Sequence, residues 1–364
     1  MFIIHWMVRR RKELLLLVIS LVFALMMIEL MSRAYLVYDS RKDLEWAFTH
    51  YENLSNGSTV TLGMLIRPSS DANIIYEMKP NLNVSFVNVP VRTNSKGWRD
   101  NEFNVTKSSN TIRIVGLGDS VMFGWGANES DRYMDVLERD LNEHYPQYNW
   151  ETMVFAAPGY NLPMEVEVLK HYALEYNPDI IVYGYVGNDH CLPNFLVNKK
   201  YNFWSSELFT VKVFDDIVLT KKNYSSDLLI STINGTQLYE YCEKDRVPLP
   251  YQKLVGEKIF SQSLQELVDI SKDKSIPVVF FFAAPYPFDE RRIPKEMIYA
   301  NGVVKIYDYL KNNNITSYGN SSIILSHDDP HFSKFGHALV EQGLYQEIVK
   351  DDFMNKLNNK TKKS

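Results

Sequence analysis

The stretch Thr111-Ile-Arg-Ile-Val-Gly-Leu-Gly-Asp-Ser120 decides the fold. The run from Ile112 to Leu117 within it is short and mostly apolar, and it stops at Gly-Asp-Ser, which is typical of a buried strand that ends in a polar loop. Further short apolar runs alternate with segments of helical periodicity downstream. Strands and helices that alternate at these lengths predict an α/β fold, with a parallel sheet that helices cover on both faces.

The same alternation predicts the elements of a domain at residues 111–350. We expect strands at 112–117, 152–157, 179–186 and 277–284, and helices at 131–145, 163–176, 295–311 and 333–350. The alternation is lost at residues 194–253, which we interpret as an insertion. Before the domain, Val84, Phe86 and Val91 lie in short apolar alternations. This pattern predicts a small β flap at residues 74–110.

An almost wholly apolar run extends from Leu14 to Met31. A helix of that length covers roughly 27 Å, which is close to the thickness of a bilayer's hydrocarbon core. Basic residues at 9–12 precede the run, so residues 1–13 are expected in the cytoplasm. We predict an uncleaved single-pass signal anchor, because no A-x-A-like site follows the run; a cleaved signal peptide is the alternative. Glu29 is expected to pair with Arg33 at i+4.

Composition and charge narrow the classes of partner. The net charge of −5 gives no general basic footprint, which argues against nucleic acid. Cys191 and Cys242 lack the spacing of zinc ligands; they are either two buried thiols or, outside the cytoplasm, one disulfide. We expect no metal and no cofactor. Residues 32–73 are irregular and predict a stalk or linker, and residues 351–364 form a polar tail.

Four polar clusters lie where the predicted strands end or where the last helix begins. They are Gly118-Asp119-Ser120, Gly159-Tyr160-Asn161, Gly187-Asn188-Asp189 and Asp328-Asp329-Pro330-His331. Each cluster alone is weak evidence for a catalytic site, since a Ser beside Gly and Asp usually lies in a turn or caps a helix. Ligands of α/β sheets, however, bind at the carboxyl ends of the strands. Together the clusters supply a hydroxyl, a base, an orienting acid and oxyanion donors, which predicts acyl transfer through a serine nucleophile.

These clusters resemble the four sequence blocks of the SGNH (GDSL-like) hydrolase family. Residues 114–124 are similar to the first block, 157–161 to the second, 185–189 to the third and 328–331 to the last, and residues 91–99 resemble a lead-in segment of bacterial members. The resemblance covers roughly residues 90 to 350. It implies a flavodoxin-like three-layer α/β/α sandwich with a parallel sheet, here preceded by a single N-terminal transmembrane helix.

The resemblance also implies roles for the residues of a catalytic triad. Ser120 is the expected nucleophile, His331 the base, and Asp328 the acid that orients the base. Asp329 is a rival for that last role, but the family spacing favours Asp328. Ordinary structural roles are expected for the other nearby histidines, which are His190, His327 and His337.

The oxyanion hole implied by the resemblance consists of the backbone amides of Ser120 and Gly159 and the side-chain amide of Asn188. The residues expected to support it are Gly118, Asp119 and Asp189. Two positions depart from the family pattern, because Val186 stands where a Gly is common and Phe155 where an Asn is common. These departures leave the shape of the hole open.

The predicted activity is hydrolysis of short acyl esters, with O-acetyl groups on a carbohydrate as the expected substrate. Aromatic residues mixed with polar ones in the insertion suit stacking on a sugar, although such rings also pack proteins together. They are Phe195, Tyr201, Phe203, Trp204, Tyr224, Tyr239 and Tyr241. The alternatives are an O-acyltransferase that acts on surface glycans and a catalytically silent glycan-binding protein. A dinucleotide-binding turn is disfavoured because Val121 replaces its third Gly, and Met122 excludes the G-x-S-x-G elbow.

Overall fold

Strands and helices alternate along the chain of the computed structural model. It describes residues 10–39, 56–60, 62–193, 203–204, 206, 208–214, 249–283, 302–305, 311, 322–326, 329–350 and 353–355. The helices are α1 (Arg11–Asp39), α2 (Leu62–Leu65), α3 (Ser120–Phe123), α4 (Tyr133–His144), α5 (Leu162–Val168), α6 (Phe209–Phe214), α7 (Glu257–Lys274) and α8 (Lys334–Ile348). The strands are β1 (Ile66–Pro68), β2 (Tyr76–Met78), β3 (Asn83–Phe86), β4 (Val89–Arg92), β5 (Thr111–Gly118), β6 (Asn149–Ala156), β7 (Ile180–Tyr185), β8 (Val278–Phe282), β9 (Gly302–Lys305), β10 (Ile324–Ser326) and β11 (Asp329–Phe332).

A five-stranded sheet in the order β6-β5-β7-β8-β9 forms the centre of the described residues. Every neighbouring pair in it is parallel. Counted along the chain, this order is 2-1-3-4-5, which is the flavodoxin-like order. The predicted fold class, an α/β protein with a flavodoxin-like parallel sheet, is therefore confirmed.

Helices cover this sheet on both faces. In the sheet, β6 lies on one side of β5 and β7 on the other, so the connections β5-β6 and β6-β7 cross the sheet in opposite directions. Both connections are expected to be right-handed. The connecting helices α4 and α5 therefore lie on opposite faces. Helix α8 packs against α4, and α7 packs against α5, which completes the three layers. All eight residues of β5 are buried between them.

One sequence-based prediction of secondary structure is wrong. The helix expected at residues 295–311 is interrupted by β9, whose residues Gly302–Lys305 pair in parallel with Val279–Phe282 of β8. Val303 and Val304 are β-branched, and backbone pairing with an adjacent strand outweighs the helical spacing seen in the sequence. Helix α7 follows the predicted insertion and was not anticipated.

The residues before the sheet form two small antiparallel hairpins, β1-β2 and β3-β4. The second contains the predicted flap residues Val84 and Val91, which pair directly. Helix α2 and strand β1 fall inside the segment predicted as a stalk, yet Leu62, Leu65 and Ile66 are buried in the core. The folded part of the chain thus begins earlier than the sequence indicated.

The apolar helix predicted near the N-terminus is present as α1. Its stretch Arg11–Tyr35 is long and apolar enough to cross a membrane, and its most apolar part is exposed. Glu29 Oε1 accepts a hydrogen bond of 2.8 Å from Nε of Arg33, which confirms the predicted pair. Cys191 is disulfide-bonded, and the sequence contains one other cysteine, Cys242, which lies outside the described residues.

Candidate active site

Strand β5, which lies between β6 and β7, places Ser120 at the carboxyl edge of the sheet. The strand ends at Gly118, and Ser120 is the first residue of α3. Asp119 caps this short helix, since its Oδ1 accepts a 2.9 Å hydrogen bond from the backbone N–H of Val121. A Cβ on Gly118 would lie 2.5 Å from Cβ of Met122, so the turn requires glycine. The sequence Gly-Asp-Ser therefore folds as a tight strand-to-helix turn with the serine at its tip.

A Gly-Trp-Gly turn follows α3 and places Trp125 beside the serine. Gly124 and Gly126 have positive φ angles of 81° and 67°, a backbone conformation that favours glycine. The buried guanidinium of Arg99 holds this turn by donating to four backbone carbonyls. They belong to Pro90, Phe123, Gly124 and Ala127, at 2.7–3.1 Å. Arg99 lies in the lead-in segment of the sequence, and its role in the fold is to fix the turn after the serine.

His331 connects the serine to a carboxylate. Its Nε2 lies 2.8 Å from Oγ of Ser120, and its Nδ1 lies 2.6 Å from Oδ1 of Asp329. The backbone N–H of His331 also donates to the same Oδ1, at 3.1 Å. Both residues belong to β11, which pairs with β10 in an antiparallel hairpin. Ser120, His331 and Asp329 thus form one hydrogen-bonded series, with the imidazole between hydroxyl and carboxylate.

The acid in this series corrects the sequence-based prediction, which had assigned it to Asp328. When Nδ1 of the imidazole is protonated, it donates one hydrogen bond, and in the structure the acceptor is Oδ1 of Asp329. The hairpin explains the difference, because Asp329 folds back two residues onto both the backbone N–H and the ring of His331. Asp328 lies outside the described residues. The rival carboxylate considered from the sequence is therefore the one in contact with the base.

Trp125 was not singled out from the sequence, and it contacts both partners of the histidine–aspartate pair. Its ring lies parallel to that of His331, with centroids 4.7 Å apart, and its Nε1–H donates to Oδ2 of Asp329 at 3.1 Å. Burial opposes ionisation of Asp329, but hydrogen bonds and charge from His331, with a smaller contribution from Trp125, lower the pKa of Asp329. The carboxylate is therefore held in its charged form.

The candidate oxyanion donors follow the two strands that flank β5. Asn188 comes after β7 and is buried. Its amide lies close enough to Asp119 to help lower that carboxyl's pKa against burial, yet its Nδ2 makes no hydrogen bond of normal geometry among the described residues. Gly159 comes after β6 with a φ of +85°, and a Cβ there would lie 2.8 Å from the hydroxyl of Tyr76. Gly159 and Asn188 therefore follow the two strands on either side of β5, the strand that precedes Ser120. Their role as an oxyanion hole stays a prediction.

The loops that carry these donors are tied together by buried polar side chains. Asn161 donates to the carbonyls of Cys191 and Leu254 at 2.9 and 2.8 Å, which connects the loops after β6 and β7. Asp189 accepts hydrogen bonds from the hydroxyl of Tyr183 and from the backbone N–H of Val186. These contacts position Asn188 from both sides, and Asn161 is a supporting residue to which the sequence analysis gave no role.

Three buried carboxyl groups, Asp119, Glu165 and Asp189, lie beneath the site. Burial raises the pKa of each, and in Glu165 and Asp189 the charge of neighbouring carboxylates raises it further. Both carboxyl oxygens of Glu165 lack a hydrogen-bond partner within the described part of the chain. Raised pKa values limit the negative charge under Ser120, which suits a site where an oxyanion develops.

The histidine predicted to be structural at position 337 is buried against Tyr133. Its Nδ1 accepts a hydrogen bond from the backbone N–H of Tyr133 at 3.4 Å. Burial, together with the charges of Arg132 and Arg99, lowers its pKa from 6.5 to about 3. Among the described residues, one cluster has the side chains of a metal site, namely Asp71, Glu167 and the exposed His171. It shares no residue with the Ser120 site.

Comparison with known proteins finds solved structures that align with this chain at low sequence identity. No family model matches the sequence, and no curated protein matches it. A catalytic mutant of the acetylxylan esterase Axe2 from Geobacillus stearothermophilus aligns at 14% identity over 68% of this chain and 98% of that chain, with a TM-score of 0.41. TesA aligns at 10% identity over 65% and 98%, with a TM-score of 0.37. LAE5, an alpha/beta hydrolase enzyme from the metagenome of Lake Arreo, Spain, aligns at 12% identity over 66% and 96%, with a TM-score of 0.38.

Similarities of this size do not assign a substrate or a mechanism. The class of protein follows from the strand order and the edge of the sheet at which the polar residues gather. The chain is an α/β protein with a five-stranded parallel sheet in the flavodoxin-like order.

Proposed function

We propose that the protein is a serine ester hydrolase whose nucleophile is Ser120. The observation that carries the proposal is the hydrogen-bonded series from Oγ of Ser120 through His331 to Asp329, with distances of 2.8 and 2.6 Å. A hydroxyl is a weak nucleophile unless an adjacent base removes its proton, and an oriented imidazole supplies that base. The series lies where the flavodoxin-like fold binds its ligands, at the carboxyl ends of β5 and β7.

In the acylation step, Oγ of Ser120 forms a bond to the ester carbonyl carbon while its proton passes to Nε2 of His331. Asp329 accepts the Nδ1–H of the imidazolium and stabilises its charge. The bond to the alcohol then breaks, and the leaving oxygen takes the proton from Nε2. Water repeats the sequence on the acyl-enzyme, which releases the acid and restores Ser120.

The oxyanion of each tetrahedral intermediate would be bound by the backbone amides of Ser120 and Gly159 and by the side chain of Asn188. Support for Asn188 comes from its buried Nδ2, which has no hydrogen-bond partner within the described residues and can donate to an incoming oxygen. One such donor is typically worth about 10²- to 10³-fold in rate. The tether through Asn161 keeps the donor from relaxing away from the substrate.

For the substrate we propose short acyl esters, with O-acetyl groups on a carbohydrate as the specific case. Support comes from the sequence of the insertion, where aromatic residues are interspersed with polar ones and do not lie in a long apolar run. Of these residues, Phe203 and Trp204 are described, and they lie beside α1; the others lie outside the described residues. Aromatic rings among polar groups suit the binding of a sugar better than the binding of a long acyl chain.

We also propose that α1 anchors the protein in a membrane, with the sheet on the outer side. Its apolar residues are exposed, and a chain in water does not leave such a surface uncovered. The basic residues at 9–12 favour a cytoplasmic N-terminus. This topology would bring the site close to glycans at the cell surface.

The test is an esterase assay of the full chain in detergent, with p-nitrophenyl esters from acetyl to octanoyl and with acetylated sugars. Acetyl esters should be the best substrates, and Ser120→Ala should abolish turnover while the far-UV circular dichroism spectrum is unchanged. Most of the activity surviving in Ser120→Ala would refute the nucleophile. Faster turnover of octanoyl than acetyl esters would replace the proposed substrate class.

A further inference from the structure

The C-terminal third of α1 contacts Phe203, Phe209 and Thr210 through several polar groups. The carboxylate of Glu29 accepts hydrogen bonds from the backbone N–H groups of Phe209 and Thr210, both at 3.0 Å, and from the hydroxyl of Thr210 at 2.7 Å. Arg33 pairs with the same carboxylate and donates to the carbonyl of Phe203 at 2.5 Å. The guanidinium of Arg33 also lies over the ring of Phe209, 4.8 Å from its centroid. We call this contact the anchor junction.

The anchor junction fixes the position of Phe203 and of the start of α6 along α1. Glu29 lies near the C-terminal limit of the apolar run, which ends at Met31. Helix α6 begins at Phe209, where Glu29 satisfies its first two backbone N–H groups. A short helix without such a partner leaves these groups unsatisfied. Phe203, Phe209 and Thr210 are therefore held at the level where α1 would leave the bilayer.

Three large apolar side chains of this segment face outward. Trp204 is 85% exposed, Leu208 66% and Val211 55%. They flank Phe203, Phe209 and Thr210, which contact Arg33 and Glu29 of α1. Trp is enriched where a membrane protein meets the head-group region, because its ring is apolar and its N–H is polar. The patch therefore has the composition and the position of a membrane-interface contact.

We propose that Trp204, Leu208 and Val211 insert into the outer interface of the bilayer, so that the insertion is a second membrane contact beside α1. The inference rests on the proposed anchor and adds a defined lipid-facing surface to it. The occupant is lipid, because Glu29 and Arg33, which hold the segment, lie where the apolar run of α1 ends. The anchor junction supplies the polar partners that a helix end needs where water is scarce.

This contact would also limit the distance between the active site and the membrane. Pro193, near Asn188, and Phe203 are separated by ten residues along the chain. Ten residues span at most about 36 Å when fully extended. With Phe203 held at the interface, the loop that carries Asn188 stays within that distance of the lipid surface. The site is then confined to substrates close to the membrane.

The experiment uses the full chain in lipid nanodiscs whose acyl chains carry bromine near the head group. Bromine quenches tryptophan on contact, and the difference between wild type and Trp204→Phe isolates the emission of Trp204. We expect bromine to remove most of that emission and acrylamide in the water to remove little. Quenching by acrylamide alone would place Trp204 in water, and protection from both quenchers would place it against protein; either result overturns the proposal.

A pair of variants tests the anchor junction. Glu29→Ala should shift Trp204 quenching from bromine toward acrylamide, while Glu29→Gln, which keeps an acceptor, should shift it less. The matched control is Glu13→Ala at the other end of α1, where the carboxylate is exposed and pairs with Arg10 at 3.2 Å; it should change nothing. Equal effects of the substitutions at positions 29 and 13 would overturn the role of the junction. Release of the wild-type chain from membranes by carbonate would instead refute the anchor itself.

Discussion

The indole N–H of Trp125 donates a 3.1 Å hydrogen bond to Oδ2 of Asp329, and the same indole ring stacks on His331. Asp329 thus binds the base through one carboxylate oxygen and the tryptophan through the other. Rotation of either the carboxylate or the imidazole would break one of these contacts. Trp125 is a positioning residue for the pair, and the two flanking glycines and Arg99 hold it in place.

The first prediction separates the hydrogen bond of Trp125 from its stacking. Trp125→Phe keeps an aromatic face on His331 but removes the donor to Asp329. Hydrogen bonds to charged groups contribute about 1.5–3 kcal/mol, and 1.4 kcal/mol corresponds to about tenfold in rate. We expect kcat to fall at least about tenfold with little change in KM.

The check is steady-state kinetics together with the rate at which a fluorophosphonate labels Ser120, which reports the reactivity of the nucleophile. Trp125→Leu serves as the comparison, because it removes both the donor and the ring and should be slower still and less stable. Equal kcat values for Trp125→Phe and wild type, in a preparation where Ser120→Ala is inactive, would refute the positioning role.

The second prediction distinguishes the two adjacent aspartates. Asp329→Asn should lower kcat by about 10³- to 10⁴-fold, because an amide at this position no longer holds the imidazole in the required tautomer. Asp328→Asn is the matched control and should retain activity within about tenfold, since the Nδ1 contact belongs to Asp329. The measurement is kcat on a short acyl ester. A larger loss in Asp328→Asn than in Asp329→Asn would restore the assignment made from the sequence.

The sequence analysis singled out Ser120 and His331, which lie in hydrogen-bond contact, because local features mark their positions; their catalytic roles stay a prediction. A buried strand that ends in Gly-Asp-Ser, and a histidine just before the last helix, are visible within a few residues each. The identity of the acid could not be predicted from the sequence. It depends on the pairing within the β10-β11 hairpin, where Ser326 lies opposite Asp329. A shift of one residue in that pairing would turn a different side chain toward His331.

Trp125 and β9 were missed because their partners are distant in the chain. Trp125 and Asp329 are 204 residues apart, and no spacing in the sequence links them. The four residues of β9 form a strand because they lie beside β8, although the apolar spacing of the longer segment around them predicted a helix. Local periodicity finds elements that have their own apolar pattern, and it fails where a tertiary neighbour decides the structure.

The third prediction concerns the oxyanion. Asn188→Ala should lower kcat by about two to three orders of magnitude and change KM less, because the donor acts mainly on the charge that develops in the transition state. Steady-state kinetics on a short acyl ester separates the two constants. A rise in KM with kcat unchanged would make Asn188 a substrate-binding group instead. Circular dichroism should be unchanged, because the Nδ2 that is lost has no hydrogen-bond partner among the described residues.

The last prediction is a pH dependence of stability that originates at His337. The pKa of this buried imidazole is lowered from 6.5 to about 3, so between these values the unfolded chain binds a proton that the folded chain does not. Stability is therefore lost as the pH falls below about 6.5, by about 1.4 kcal/mol per pH unit. His337→Gln has no proton to bind and should flatten this part of the curve.

Urea unfolding of the full chain in detergent, followed between pH 7 and pH 4.5, measures this difference. Wild type should lose about 2–3 kcal/mol more than His337→Gln over that range. Carboxyl groups with raised pKa values, such as Glu341 at about 7, act in the opposite direction, but both proteins contain them and subtraction removes their effect. The control is His144→Gln, because His144 is exposed and its substitution should leave the curve of the wild type unchanged. Parallel curves for wild type and His337→Gln would show that the imidazole at position 337 has the same pKa in the folded and the unfolded chain, which would contradict the prediction.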